Sequence, residues 1–553
     1  MAHGGAVTRR SMLGGLIAAA GVVGVGGLAA CGPGETPGGG GNGGGGNGGG
    51  GNGGKLVPPT YVPFEGVTPD LPGTADGVSA AFLKFPNPPV PRDGFPLPTT
   101  DNVTALLQGV PPGLAPDSNP AYEVFRASAG NKMDATTITS ADYLNKFQTT
   151  MAGSEIPDFV QISEVPQYPK LLEKYFTDLT EVLGGDNVKK YPGLANIPPA
   201  TWKIPVVNGR LWGISQPRPP AGLIVSTRGD LLKAKGIDKN PTVSNGQEFV
   251  ELMTELTDAG KSQFAMGALP TSWLLGTVLE MMEAPNIWAL EGDTFVSQLA
   301  STQMKDALTE CGKIIKAGLL HPNSFSEPAS NQNWWIAGTT ALYRQGFTGW
   351  GVFARQYPSW DVGYVSLPKW DGGGKAPLFK SVAGYGAYIA IKKQASDARL
   401  EELLKLADFV ASPFGTQEFL DVNYGKEGKT FKFSDGNPQY IEGQTANIVA
   451  GWPYLGGNSQ NVLFTPGQDE LTKAQHEYLS AAIPTGVDNA AQGLYSDTYV
   501  SKNATYAKTI ADLQRGVMLG EKPMSEWDAF ISKWKSEFGD KVAAEFAEAK
   551  AKS

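Results

Sequence analysis

From residue 101 onward the sequence alternates short apolar runs of strand character with longer runs whose apolar residues recur every three or four positions. This alternation constrains the fold more than any other feature. Residues 103–107 read as a strand, 119–128 as a helix, 135–139 as a strand, and 140–152 as a helix with Leu144, Phe147 and Met151 on one face. Strands that alternate with helices imply a parallel sheet, and ligands bind such sheets at the carboxyl ends of the strands. The run Pro157-Asp-Phe-Val-Gln-Ile162 is the next strand, so Ser163 and Glu164 at its end are expected to face a ligand cleft. Capping of a turn is the other role open to Glu164.

At 553 residues the chain exceeds what one compact core holds, so two lobes are expected, each of about 150 to 200 ordered residues. Charged residues make up 18% and the formal net charge is −9. Loss of a leader carrying Arg9 and Arg10 and no acid would leave the mature chain near −11. Nucleic acid is excluded as a partner on this balance, because phosphate binding needs clustered Lys and Arg. The 3 histidines, His3, His321 and His476, exclude a polyhistidine metal site and leave little for a nucleophilic triad, so neither metal nor cofactor is expected. No phosphate-binding glycine loop occurs, and Gly372-Gly-Gly374 before Lys375 reads as a hairpin loop. Paired carboxylates for glycoside hydrolysis stay open, since 54 acids are present.

The amino terminus carries a twin arginine in Thr8-Arg9-Arg10-Ser11-Met12-Leu13, then an uncharged apolar run ending Leu28-Ala-Ala-Cys31-Gly32. The last four residues before Gly32 match a bacterial lipobox, which implies cleavage before Cys31 and its acylation. Residues 12–30 are also long enough for a signal anchor. Residues 38–54 repeat GGGGN and bury nothing, giving a flexible tether spanning about 20 to 25 Å. The Pro-rich residues 56–98 are expected to extend and stiffen it. Cys311 falls on the spacing Met304, Ala307, Leu308, Cys311, Ile314, Ile315, the buried face of a helix, and is expected to be an inert thiol.

Residues 331–393 hold five of the 12 Trp (Trp334, Trp335, Trp350, Trp360, Trp370), which makes this stretch the first place to look for a ligand surface. The runs Met151-Ala-Gly-Ser-Glu-Ile-Pro157-Asp158, Asn208-Gly-Arg-Leu-Trp212-Gly-Ile-Ser-Gln216-Pro, Arg228-Gly-Asp230, Leu269-Pro-Thr-Ser-Trp273, Gly338-Thr-Thr-Ala341-Leu342 with Gly349-Trp350, and Tyr424-Gly-Lys-Glu427-Gly-Lys-Thr-Phe431 follow one another. In that order they resemble the extracellular solute-binding proteins, family 1 type and lipoprotein subgroup, of bacterial ABC carbohydrate transporters.

The resemblance implies an α/β, two-lobed, periplasmic-binding-protein-like fold of type II, each lobe a mainly parallel sheet flanked by helices, with several hinge crossings. It divides the chain into residues 1–31 as leader and lipidated Cys31, 32–100 as tether, 101–222 with 358–395 as the first lobe, and 223–357 with 396–553 as the second. It also implies a lipid-anchored monomer on the outer face of the cell membrane, exported by the twin-arginine route, that passes a saccharide to ABC permease subunits and is not an enzyme. A lipid-anchored glycoside hydrolase and a surface scaffold are the other readings.

For a sugar, the ligand residues are expected to be aromatics under the ring's C–H face and polar groups at its hydroxyls. Trp212, Trp273, Trp350, Tyr385 and Trp452 stand beside Gly or at strand and loop ends, with Gln216, Ser163 and Glu164 as polar partners. Trp350 and Tyr385 are expected to trap ligand from opposite lobes, a packed Trp350 being the other reading. Trp527, Phe530, Ile531, Trp534 and Phe538 recur at helical spacing and are core, while Trp202, Trp360 and Trp370 suit hinge packing equally. Asp230 is expected to hold Arg228, and Ser244 with Gln247 to form a capping box.

Because acylation requires the thiol, Cys31→Ala should abolish lipidation and leave the chain unprocessed or released. Intact-mass spectrometry of the membrane fraction checks this, and wild-type protein without lipid on Cys31 would refute it.

Overall fold

The computed structural model describes residues 56–552 apart from 110, 132, 269, 385–386 and 449–450. The leader, Cys31, the Gly/Asn repeat and Tyr385 lie outside the described residues.

Two four-stranded sheets organise the chain. In chain order their strands are β1 (Val103–Gln108), β2 (Met133–Ile138), β3 (Phe159–Gln161), β4 (Leu223–Thr227), β5 (Phe264–Met266), β6 (Thr340–Gly346), β7 (Gly363–Val365) and β8 (Ile389–Ile391). The first sheet runs β8-β3-β1-β2, with β1 parallel to both neighbours and β8 antiparallel at the edge. The second runs β7-β4-β6-β5, with β6 parallel to β5 and β4 antiparallel to both β6 and β7. The architecture is α/β, with mixed sheets flanked by helices.

Alternation along the strands puts apolar residues on both faces of each sheet, which is why the strands read as continuous apolar runs. Val103, Ala105 and Leu107 of β1, Phe159 of β3, and Ile389 and Ile391 of β8 enter one core, while Leu106, Val160 and Ala390 enter another on the opposite face. In the second sheet Val225 and Leu342 face one core and Ile224 and Tyr343 the other. Helices cover these faces by their apolar stripes. Helix Thr302–Lys316, capped by Ser301, buries Met304, Ala307, Leu308, Cys311 and Ile314 against the second sheet. Burial pushes the Cys311 thiol up and keeps it inert. The cap expected at Ser244 falls one residue later, where Asn245 accepts from the Glu248 amide and the Glu248 carboxylate accepts from the Ser244 amide.

The lobe boundaries differ from those expected at 358 and 396. Strand β7 pairs with β4, so the chain stays in the second lobe past 358 and returns only along the segment leading into β8. Helix Asp397–Val410, capped by Ser396, then buries Leu403, Leu404, Ala407 and Val410 in the first core, where Trp452 and Leu455 join them. The second lobe resumes with helix Asp469–Ala482, whose Leu479 packs beside Trp335 and Trp350. An amphipathic stripe shows that a helix must be covered but not by which sheet.

Residues 56–100 are a strap docked on both lobes, in place of the free tether expected there. The Thr60 amide donates to the Gly185 carbonyl at 3.0 Å and the Val62 amide to the Ala195 carbonyl at 2.8 Å, on the first lobe. Leu71 then bridges Ala81, and Val78 and Ala81 are buried in the second-lobe cluster of Trp335 and Trp350. Ala81 bridges Leu463, Phe82 stacks on Phe414 at 4.3 Å, and Val90 bridges Thr416. Proline supplies the extended shape that composition predicts, but Val78, Phe82, Phe85 and Phe95 give the strap apolar surface to bury.

Arg92 closes the strap with an ion pair to Asp408 at 2.6 Å, both side chains 8% exposed. The other oxygen of Asp408 accepts from the Gly193 and Leu194 amides at 2.6 and 3.2 Å. Breaking a buried pair from one side leaves an uncompensated charge. Arg92→Ala should therefore lower unfolding free energy by about 3 to 5 kcal/mol in urea titration; a loss below about 1 kcal/mol would show the strap to be dispensable.

Candidate ligand site between the lobes

Two of the crossings between the lobes run side by side. Ile214 and Ile389 exchange backbone hydrogen bonds at 2.9 and 2.8 Å, and Pro217 bridges Gly384. A side chain at position 213 would strike the Ile389 carbonyl, and a Cβ at position 384 would lie 2.8 Å from the Gln216 carbonyl oxygen. Only glycine lets the backbones approach this closely.

Beside the crossings a cavity of about 250 Å³ opens between the lobes. Ile162, Glu164 and Tyr168 line it from the end of β3 and the helix Tyr168–Tyr175, and Tyr388 from the residue before β8. The second lobe contributes Trp288, on the hairpin Trp288–Glu291 and Thr294–Ser297, with Tyr495 and with Tyr499 of helix Asp497–Met518. The lobes touch across it: the Tyr495 hydroxyl accepts from the Gln167 amide at 3.0 Å and donates to the Asp497 carboxylate at 2.7 Å, and the Tyr168 and Tyr495 rings meet edge to face at 5.1 Å.

Glu164 stays open to the cavity while the protein around it displaces bulk water and pushes its carboxyl above the ordinary range. Burial, then the neighbouring Glu164, raises Tyr168; burial, then Tyr168 and Glu164, raises Tyr388. The Tyr388 hydroxyl is buried and has no hydrogen-bond partner among the described residues. A carboxyl and several aromatic faces thus share one recess. Such a set can hydrogen-bond hydroxyl groups and rest C–H faces on rings. No group of three or more His, Cys, Asp or Glu able to hold a metal exists among the described residues.

Of the residues marked from sequence, Glu164 reaches this cavity, and Ser163 beside it is half-buried and outside the lining. Trp212 is buried under the crossing and donates to the Val207 carbonyl at 3.2 Å. Gln216 is buried in the crossing and accepts from Arg218 at 3.1 Å. Trp273 is half-buried, its ring edge to face with Tyr343 at 5.3 Å on the second sheet. Trp350 is 1% exposed: helix Phe347–Gln356 starts directly after β6 and turns it inward, where its indole donates to the Val362 carbonyl at 3.0 Å. Trp452 is equally buried, against Tyr122 and Phe125 of the first core.

Trp212, Trp350 and Trp452 are therefore core residues. The Trp-rich stretch of 331–393 is likewise mostly packing: Trp335 and Trp360 join Trp350 in one cluster, Trp370 covers another, and Trp334 stacks on His321 at 3.8 Å. Trp360 also carries the Arg228 guanidinium 3.8 Å above its ring, with Arg228 held by both carboxylate oxygens of Asp230 as expected. Tyr168, Tyr388, Tyr495 and Tyr499 were not marked from sequence. Tyr388 alone carries a local signal, since alternation with Ile389 and Ile391 sends it to the opposite face of the sheet.

Trp350→Ala should cost about 3 to 5 kcal/mol of stability, the cost of truncating a core Trp, with ligand affinity in the surviving folded protein unchanged. Chemical unfolding and titration on the same variant check this; weakened binding without loss of stability would return Trp350 to the site.

No protein-family profile matches the chain. Lipoprotein LipO of Bacillus subtilis is 21% identical over 461 residues, 80% of this chain and 91% of that one. The polygalacturonan/rhamnogalacturonan-binding protein YtcQ of the same organism is 22% identical over 459 residues, 78% of this chain and 88% of that one. Among solved structures, the alginate-binding protein AlgQ2 without calcium superposes with a TM-score of 0.59 at 14% identity, covering 83% of this chain and 99% of its own. An HMO-binding, ABC-transporter-associated solute-binding protein of Bifidobacterium longum infantis gives a TM-score of 0.63 at 14% identity, covering 82% and 99%. The chain has the fold of the ABC-transporter solute-binding proteins.

Proposed function

We propose that the chain captures a saccharide between its two lobes and hands it to the permease subunits of an ABC transporter. The observation that carries this is the cavity between the lobes, where Glu164 lies among aromatic rings contributed by both lobes. Ligand contacts made by both lobes at once favour the conformation in which the lobes meet, so capture becomes a population shift that a permease can read. The relatives support the ligand class: one binds polygalacturonan and rhamnogalacturonan, one alginate, and one HMO. Acylation of Cys31, export through the twin-arginine route and attachment to the outer face of the cell membrane complete the proposal, supported by the leader and by the lipoprotein among the relatives. No described helix is long and apolar enough to cross a membrane.

Capture without turnover is supported by the cavity's lining. Glycoside hydrolysis uses two carboxyl groups flanking the scissile bond, and Glu164 is the one carboxyl among the described lining residues.

A saccharide that binds the folded state alone should stabilise it by about 2.7 kcal/mol at a hundred times its dissociation constant. Thermal unfolding against a saccharide panel reads this, with chromatography of the recovered sugar. The expected result is a raised melting temperature with the sugar returned intact; its conversion to product, lost on replacing Glu164, would establish an enzyme instead.

A further inference from the structure

The saccharide-binding relatives differ in ligand charge, since polygalacturonan and alginate are polymers of uronic acids. Recognition of a sugar carboxylate calls for Arg or Lys, whose charge-assisted and often bidentate hydrogen bonds offset the loss of hydration. An unpaired carboxylate taken from water into a recess is costly. No Lys, Arg or His occurs among the residues lining the cavity. Its polar groups are the Glu164 carboxyl, the phenols of Tyr168, Tyr388, Tyr495 and Tyr499, the amides of Asn489 and Gln492, and the Ser496 hydroxyl. Several are already engaged: Tyr495 by Gln167 and Asp497, Ser496 by Glu545, and Asn489 by the Ala491 amide. The Tyr388 hydroxyl is buried and unpartnered, and Glu164 makes no hydrogen bond to it.

We propose that this cavity selects an uncharged saccharide, holding ligand hydroxyls on Glu164, and rejects uronic acids. The inference rests on the reading of the chain as a saccharide binder. A sugar hydroxyl both donates and accepts, so it matches the Glu164 carboxyl in either protonation state. A uronate at the same place meets a carboxyl of like charge and no cation. The overall negative charge of the chain acts in the same direction at longer range.

Isothermal titration of the purified protein with two matched panels tests this: gluco-, manno-, galacto- and xylo-oligosaccharides against galacturonate, mannuronate and guluronate oligomers of the same lengths. At least one neutral oligomer should bind about tenfold or more tighter than every acidic one. A smaller margin, or an acidic oligomer binding best, overturns the inference and leaves the saccharide reading standing. Binding in neither panel overturns that reading and the inference with it.

With the best neutral oligomer, Glu164→Gln should weaken binding by about tenfold. Unchanged affinity in this variant would overturn the assignment of Glu164.

Discussion

The pair of backbone hydrogen bonds between Ile214 and Ile389 is the constraint on which the rest of this architecture depends. It fastens the outgoing crossing to the returning one, and it exists only because Gly213 and Gly384 carry no side chains at the points of closest approach. The returning segment lines the cavity through Val382, Ala387 and Tyr388, and Tyr388, next to the bonded Ile389, projects its ring to the opposite face of the first sheet. The hinge and the recess are thus one piece of structure. A displacement of the crossing by a single residue would reverse which side chains meet ligand and which meet core.

Each lobe is stabilised by buried polar contacts placed where the chain changes direction. In the second lobe the Arg344 guanidinium reaches Glu280 at 2.7 Å and Thr277 at 2.6 Å beneath the sheet, all deeply buried. Burial pushes the Glu280 carboxyl up and Arg344 pulls it down. Such pairs add little net stability compared with apolar packing of the same volume. Their effect is on uniqueness: Arg344 has one place where its charge is met, which sets how the helix Leu275–Met281 lies on β6. Arg228 on Asp230 and Trp360, and Arg92 on Asp408, do the same at other junctions.

Elements were more legible in the sequence than their partners. The helix of Cys311, the helix after Ser396 and the strand leading to Glu164 follow from spacing and caps, because those signals are local. The assignment of β7 to the second sheet and of the helix Asp397–Val410 to the first depends on contacts between residues far apart in sequence, which no local period encodes. The aromatics misled for a related reason. Glycine beside a Trp suggests a turn that exposes the ring, yet at Trp350 the same glycine lets helix and strand approach so that the ring is enclosed. A Cβ at position 349 would lie 2.3 Å from the Gln345 side-chain oxygen, so that side chain would have to move. The ligand cavity instead draws on Tyr168, Tyr388, Tyr495 and Trp288, which come from four separate segments and share no pattern.

The strap carries a consequence for the order in which the protein can form. Arg92 and its partner Asp408 are 316 residues apart, and Phe85 docks on a strand at Asn437 that is made later still. At ordinary rates of translation the ribosome needs roughly 15 to 60 s to deliver that much chain. Throughout that interval the later-made partners of Phe82, Phe85 and Phe95, such as Phe414 and Phe409, are not yet present for them to bury against. The nascent protein therefore displays a proline-spaced aromatic ribbon at its front, open to whatever cellular factor holds apolar segments, until the last quarter of the chain arrives to cover it.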